Sequence, residues 1–228
     1  MNELVIIEKP NSSFSEEIKR VRTNLKFSAI NEDMKVIMIT SSLAGEGKSF
    51  VSANLAASFS QFNEKVLLID CDLRKGRQKK IFGIPVKKTG GLSSLLINKE
   101  WETAYPEYIR TTKVDNLFVI PTGPYPPNPS ELLASERFQR LLDKFKESFD
   151  IIILDCPPLT GLNDALVVSR YADASIIVAR HKKTSMDILE KSKKSLDAVG
   201  AKIAGVILNQ IDTKENNYYY YGHYYRDK

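Results

Sequence analysis

The stretch ITSSLAGEGKSF, residues 39–50, constrains the fold of this chain more than any other. It continues the apolar run KVIMIT (Lys35 to Thr40) and passes through a loop holding Gly45 and Gly47. It then enters SFVSANLAASFSQF, which reads as a helix with small residues on its packing face. A strand with no polar alternation must be covered on both faces, so this unit calls for a sheet lying between helices. The loop has demands of its own. Backbone N–H groups turned inward around an anion need glycine where a Cβ would clash. The helix that follows offers its positive N-terminus to the same anion. The spacing fits the phosphate-binding pattern GxxxxGK[ST] except at Ser42, which stands where the pattern has Gly. The candidate nucleotide-binding residues are therefore Ala44, Gly45, Glu46, Gly47, Lys48, Ser49 and Phe50. Lys48 has the length to reach the β- and γ-phosphates, and the Ser49 hydroxyl can take a Mg²⁺ position.

The remaining chain supplies more of the same material. KVLLIDCD, NLFVIPTG, DIIILDCPP, ASIIVAR and KIAGVILNQ are short apolar strands, separated by helical patterns. This predicts an α/β, P-loop NTPase-like fold with a mostly parallel central sheet flanked by helices on both faces. An N-terminal helix is expected over about 13–30, opened by a Ser13–Glu16 capping box and striped by Ile18, Val21, Leu25 and Phe27 or Ser28. PSELLASERFQRLLDKFKESF reads as the longest clear helix, opened by Ser130. Residues 83–116 are the least regular and predict short helices and loops. With no internal repeat and no Ser/Gly linker, residues 1–214 read as one domain. Residues 215–228 read as a flexible tail in which Tyr218, Tyr219, Tyr220, Tyr221, Tyr224 and Tyr225 are set among turn-formers and charges.

Other classes are excluded on composition. No apolar run is long enough to span a bilayer, and the N-terminus lacks a basic-then-apolar leader, so a cytoplasmic location is expected. Two His and no CxxC argue against zinc; Cys71 and Cys156 read as small buried hydrophobes. The net charge of +5 is concentrated in RKGRQKK (Arg74 to Lys80), Lys87–Lys88 and His181–Lys183. None carries the interleaved aromatics of a single-strand binder or a DNA-binding motif, so each reads as a solvated face and no nucleic-acid partner is expected.

Three carboxylates stand at strand ends: Asp70 and Asp72 in LLIDCDLR, and Asp155 in IIILDCPP. Ligands of open parallel sheets bind beyond the carboxyl ends of strands, so these aspartates should meet the glycine loop at one site. Asp155 fits the acidic residue that holds Mg²⁺ through water in P-loop enzymes. After the last strand, Asn209 and Asp212 superficially resemble the NKxD guanine reader, with Gln210 where that motif has Lys. Asn209 is a candidate contact to the nucleotide base.

SSLAGEGKS, VLLIDCDLRKG and IIILDCPP resemble the Walker A, A′ and B motifs of the bacterial tyrosine kinases (BY-kinases). GGLSSLL and PPNPSELL are also similar to stretches of that family. The likeness runs from EIKRVRTN to the tyrosine tail, with the DxDxR form of the second motif its most specific element. In particular the chain resembles the separate cytoplasmic kinase subunit of Gram-positive capsule and exopolysaccharide systems. The resemblance implies ATP as the nucleotide. It also implies a tail whose tyrosines are autophosphorylated by a neighbouring subunit in a ring. The ring contact is attributed in the family to an ExxRxxR stretch, matched here by Glu16, Lys19 and Arg22, with Lys in place of the first Arg. A membrane adaptor of the polysaccharide co-polymerase type, holding the kinase at the inner face of the membrane, and a cognate tyrosine phosphatase complete the implied partners.

On this reading Lys48 and the loop hold the phosphates, while Ser49, Asp155, Asp70 and Asp72 are the Mg²⁺ ligand candidates. Asp70 or Asp72 accepts the phenol proton. Arg74 contacts phosphate or substrate, or else holds its loop through a carboxylate. Two other readings stand beside it: a MinD/ParA-like ATPase switch, whose loop has a second Lys where this chain has Leu43, and a non-catalytic nucleotide-binding regulator.

Overall fold

Successive residues of a strand point to opposite faces of its sheet, and here each face meets its own core. The computed structural model describes residues 3–28, 34–85 and 90–211. The strands are β1 (Val36–Ser41), β2 (Val66–Asp70), β3 (Arg110–Thr111), β4 (Leu117–Ile120), β5 (Ile151–Asp155), β6 (Ala174–Arg180) and β7 (Ile203–Asn209). They form one sheet in the order β3–β4–β2–β5–β1–β6–β7. Among the described residues only the β3–β4 pairing is antiparallel. The helices are α1 (Val5–Glu8), α2 (Ser13–Ser28), α3 (Lys48–Ser60), α4 (Gln78–Ile81), α5 (Leu92–Ile97), α6 (Trp101–Ala104), α7 (Pro129–Leu133), α8 (Glu136–Ser148), α9 (Asp164–Ser169) and α10 (Met186–Asp197), with a 3₁₀ turn at Tyr105–Tyr108.

Val36 and Met38 of β1, Leu67 and Ile69 of β2, and Ile152 and Leu154 of β5 face a core shared with α5, α8, α9 and Leu196 of α10. Their neighbours Ile37, Ile39, Leu68 and Ile153 face the other core, with Ile18 and Leu25 of α2 and Val51, Leu55 and Phe59 of α3. Helix α3 is buried almost all round because it lies between the sheet and α2. That position explains its run of Ala and Ser, which lets backbones approach on both sides. The expected fold class, an α/β sheet with helices on both faces, is what the structure shows.

Several local expectations need correction. The helix expected to start at Ser130 is two helices, with Ser135 in extended conformation between them. Ser135 accepts the Phe138 N–H at 3.3 Å and so caps α8, the alternative to helix that serine offers. At 16 residues α2, not this segment, is the longest helix described. Its cap is Ser12, whose Oγ accepts the Ser15 N–H at 3.2 Å, whereas Glu16 pairs with Lys19 at 2.7 Å. Ile18 and Leu25 of its stripe are buried, but Phe27 is 66% exposed. The short strand β3 and the helical turn α1 carried no sequence signal strong enough to be anticipated. Residues 29–30 of the expected N-terminal helix, Lys87–Lys88 and Asp212 lie outside the described residues.

Candidate active site

Strand β5 lies between β1 and β2, and register places both Ile39 and Asp70 beside Asp155. The loop after β1, the DxD turn after β2 and the end of β5 thus share one edge. This is why three motifs far apart in sequence form one site.

The glycine loop is pinned from three directions. Gly45 and Gly47 have φ of 82° and 93°, a left-handed conformation that disfavours a side chain. A Cβ on Gly47 would also collide with the Asn209 side-chain amide. Glu46, only 2% exposed, turns back into the loop: its carboxylate accepts the Leu43 N–H at 2.7 Å and the Thr184 hydroxyl. Its main-chain carbonyl accepts Asn209 Nδ2 at 2.9 Å. Thr160 donates its hydroxyl to the Ser42 carbonyl at 2.5 Å. Helix α3 starts from Gly47 without a side-chain cap, leaving the first-turn N–H groups for an anion.

Lys48 reaches across the site. Its ammonium lies 2.9 Å from Asp72 Oδ2, 3.6 Å from Asp155 Oδ1 and 3.3 Å from Ser49 Oγ. Burial alone would lower its pKa, but Asp155 and Asp72 together hold it above the ordinary lysine value. Asp72 also accepts the Lys75 N–H at 2.9 Å. Asp70 is fully buried; its Oδ2 accepts the Gln78 N–H at 3.0 Å, while Oδ1 has no partner among the described residues. Burial first, and then the adjacent Asp155 charge, push its pKa up to about 8. That direction favours the protonated form of Asp70 over the ordinary ionised carboxylate.

Gln78 was not anticipated, since it sits in a basic run that reads as solvated. It is fully buried, and its Nε2 donates to Asp155 Oδ2 at 2.7 Å and to the Ser49 carbonyl at 3.0 Å. One residue thereby ties all three motifs together. A lone uncharged side chain inside RKGRQKK was the only hint. Asp164 was also missed. It is fully buried at the start of α9 and accepts Arg74 Nε at 2.9 Å and the Ser130 hydroxyl. Of the roles open to Arg74, the structure shows the carboxylate anchor.

Two candidates sit elsewhere than expected. The Phe50 ring packs on Phe14, with centroids 5.0 Å apart, so only its backbone belongs to the loop. Arg22 does not share an outward charged face with Glu16 and Lys19. It is 5% exposed, donates to the Ser58 carbonyl at 2.8 Å and lies 3.5 Å from the Phe62 ring centroid. The exposed tip of the loop is formed by Ala44 and Gly45. Tyr218, Tyr219, Tyr220, Tyr221, Tyr224 and Tyr225 lie outside the described residues.

The donor set fits Mg²⁺. All its members are hard oxygens, one buried oxygen of Asp70 lacks a partner among the described residues, and Asp72 and Asp155 both face Lys48. Among the described residues no three His, Cys, Asp or Glu side chains gather into a metal cluster of their own. That suits an ion that takes one or two carboxylates and completes its shell with water and substrate phosphates.

Residues 34–207 match the AAA_31 family, an AAA domain. CapB of Staphylococcus aureus is 39% identical over 221 residues, 96% of this chain and 95% of its own. The tyrosine-protein kinase YwqD of Bacillus subtilis is 36% identical over 220 residues, covering 96% and 91%. The chain belongs to the bacterial tyrosine kinases. The crystal structure of the chimerical protein CapA2B2 superposes on the kinase with a TM-score of 0.87 at 36% identity, over 93% of this chain and 92% of that one. A MinD protein complexed with Mg-ADP, from Pyrococcus horikoshii, superposes at 0.63 with 23% identity, a likeness of fold alone. The kinase is thus a P-loop enzyme of the tyrosine-phosphorylating kind, on a nucleotide-binding fold. Among its described residues no helix is long and apolar enough to cross a membrane.

Proposed function

We propose that the kinase transfers the γ-phosphoryl group of ATP to the tyrosines of its own C-terminal cluster, Tyr218–Tyr221, Tyr224 and Tyr225, presented by a neighbouring copy. The observation that carries this reading is the convergence of Lys48, Asp72 and Asp155 at the mouth of the glycine loop. Phosphoryl transfer asks for alignment and charge neutralisation more than for covalent chemistry. Loop N–H groups and Lys48 cradle the phosphates, and Asn209, which braces the loop through the Glu46 carbonyl, is the residue assigned to contact the base. Mg²⁺, held by Ser49 and Asp155 with Asp70 or Asp72, would neutralise phosphate charge. Lys48 then moves from the carboxylates toward phosphate, freeing Asp72 at the pocket mouth to accept the phenol proton. Asp70, buried and with its protonated form favoured, suits a supporting place in the metal shell.

Regulation of capsular or exopolysaccharide synthesis or export fits the company this sequence keeps. The CapA2B2 chimera joins, by its name, a CapA part to a CapB part. That supports a co-polymerase-type adaptor that holds the kinase at the inner membrane face. Self-association into a ring through Glu16, Lys19 and Arg22 would require Arg22 to leave Ser58. A tyrosine phosphatase would reset the tail. The test is phosphotyrosine formation by Asp72→Asn and Asp70→Asn proteins whose ATP binding is checked by titration. Asp72→Asn should bind ATP and lose at least about a hundredfold in transfer. Full transfer by Asp72→Asn would overturn its role as the base.

A further inference from the structure

A cavity of about 450 Å³ opens beside the DxD turn, lined by Arg74, Lys75, Lys79, Arg110, Thr122 and Tyr125 together with glycines, prolines and two aliphatic side chains. The site already described does not use it. Among the described residues its lining holds four cations and no carboxylate. Its wall is continuous with the reaction site. The Lys75 N–H donates to Asp72 Oδ1 at 2.9 Å, and the Thr122 hydroxyl donates to the Asp72 carbonyl at 3.4 Å. Arg74 is neutralised by Asp164 and Arg110 gives an N–H to the Glu107 carbonyl, while Lys75 and Lys79 add positive charge to the same lining. Tyr125, 63% exposed, presents an aromatic ring at the same rim.

Cations plus an aromatic face are the chemistry that holds a phosphorylated aromatic side chain. The volume lies within the range of small-ligand pockets. Successive tyrosines of the tail are one or three positions apart, as YYYYGHYY, so a tyrosine at Asp72 always has another within a few residues. Each extended residue spans about 3.3 Å, which brings that neighbour to an adjoining pocket. Unmodified, residues 212–228 carry three acidic and three basic side chains and have no net attraction to the cavity. Each phosphate adds about −1.5 to −2 charges.

We infer that this cavity is a docking site for phosphotyrosine in the tail of a second copy, so that one phosphorylated tyrosine promotes phosphorylation of the next. The inference rests on the tail being the substrate. With Lys75 and Lys79 on its lining besides the Asp164-paired Arg74, the cavity has the charge to neutralise one phosphate. Further phosphates meet the repulsion of a phosphate-loaded site and favour release.

The test uses the full-length kinase with two peptides of sequence ENNYYYYGHYYRDK, one unmodified and one phosphorylated at Tyr224. Binding is followed by fluorescence anisotropy without nucleotide, and transfer by mass spectrometry with ATP and Mg²⁺. The phosphopeptide should bind about tenfold tighter and show a correspondingly lower KM, with the advantage shrinking in high salt. A Lys79→Ala/Arg110→Ala protein should reduce that preference to within about twofold, while its rate on the unmodified peptide stays level. Lys79→Arg/Arg110→Lys should restore it. A phosphoserine peptide should gain less, for want of a ring. Equal binding of the two peptides, or a preference that survives the double alanine change, overturns the docking site. Failure to phosphorylate either peptide, with tight phosphopeptide binding intact, would instead overturn the tail as substrate and leave the cavity as a phosphotyrosine site.

Discussion

Replacing Asp70 by Asn should stabilise the ligand-free kinase at neutral pH and above, by an amount that grows with pH. Asp70 is fully buried beside Asp155, and its pKa rises from 3.8 to about 8 on folding. Below pH 3.8 both folded and unfolded chains keep the proton, and burial of this group carries no pH-dependent penalty. Between 3.8 and 8 the unfolded chain has lost the proton that the folded chain retains, so stability falls as pH rises. At 1.36 kcal/mol per pH unit the penalty reaches about 4 kcal/mol at pH 7. Asn removes the titration and can still accept the Gln78 N–H that Asp70 Oδ2 takes at 3.0 Å. Its amide must fit where Oδ1 now has no partner among the described residues, which costs about 1–3 kcal/mol. The net gain should be about 1–3 kcal/mol at pH 7 and larger at pH 8, and near pH 4, where the penalty has vanished, it should turn into a loss of about 1–3 kcal/mol. Urea midpoints of both proteins at pH 4, 6, 7 and 8, without nucleotide or Mg²⁺, measure it. A difference that stays flat with pH, or that favours the parent at pH 8, would refute the assignment of a buried, protonated carboxyl.

Gln78→Leu should cost about 1–3 kcal/mol in denaturant stability, because it strands the buried Asp155 Oδ2, and should weaken ATP binding measured by calorimetry. Gly47→Ala combines a left-handed φ of 93° with a clash against Asn209, so nucleotide binding should be lost; Asn209→Ala in the same chain should recover only part, since the strain of about 1–3 kcal/mol remains. Arg74→Ala leaves the Asp164 carboxylate buried without its cation, with an expected loss of about 3 kcal/mol that Asp164→Asn should partly rescue in thermal melts.

What the sequence made legible was whatever is written in local pattern. Apolar runs without alternation announced buried parallel strands, and GxGKS between such a run and a helix placed the phosphate loop. Asp70, Asp72 and Asp155 could be assigned to one edge because strand ends share it. Gln78 could not be seen, because its role depends on α4 folding the chain back under the site, and nothing in RQKK distinguishes a buried amide from a solvated one. Asp164 pairs with Arg74 across 90 positions, a distance over which composition carries no pairing information. Arg22 looked like part of a charged face because helical periodicity does not show that Phe62 and Ser58 close over it. Ser135 splits α7 from α8 by a side-chain hydrogen bond to the Phe138 N–H, a local alternative to helix that periodicity does not register.

The activity proposed for this kinase is phosphorylation of its own tyrosine cluster. It is tested most directly by mass spectrometry of the C-terminal peptide after incubation of the purified kinase with ATP and Mg²⁺, with an adaptor fragment present and Lys48→Met as control. Phosphate is expected on residues between Tyr218 and Tyr225 in the parent and on none of them in the variant. ATP turnover that leaves the tail unmodified would contradict the claim and point to an ATPase switch on the same fold.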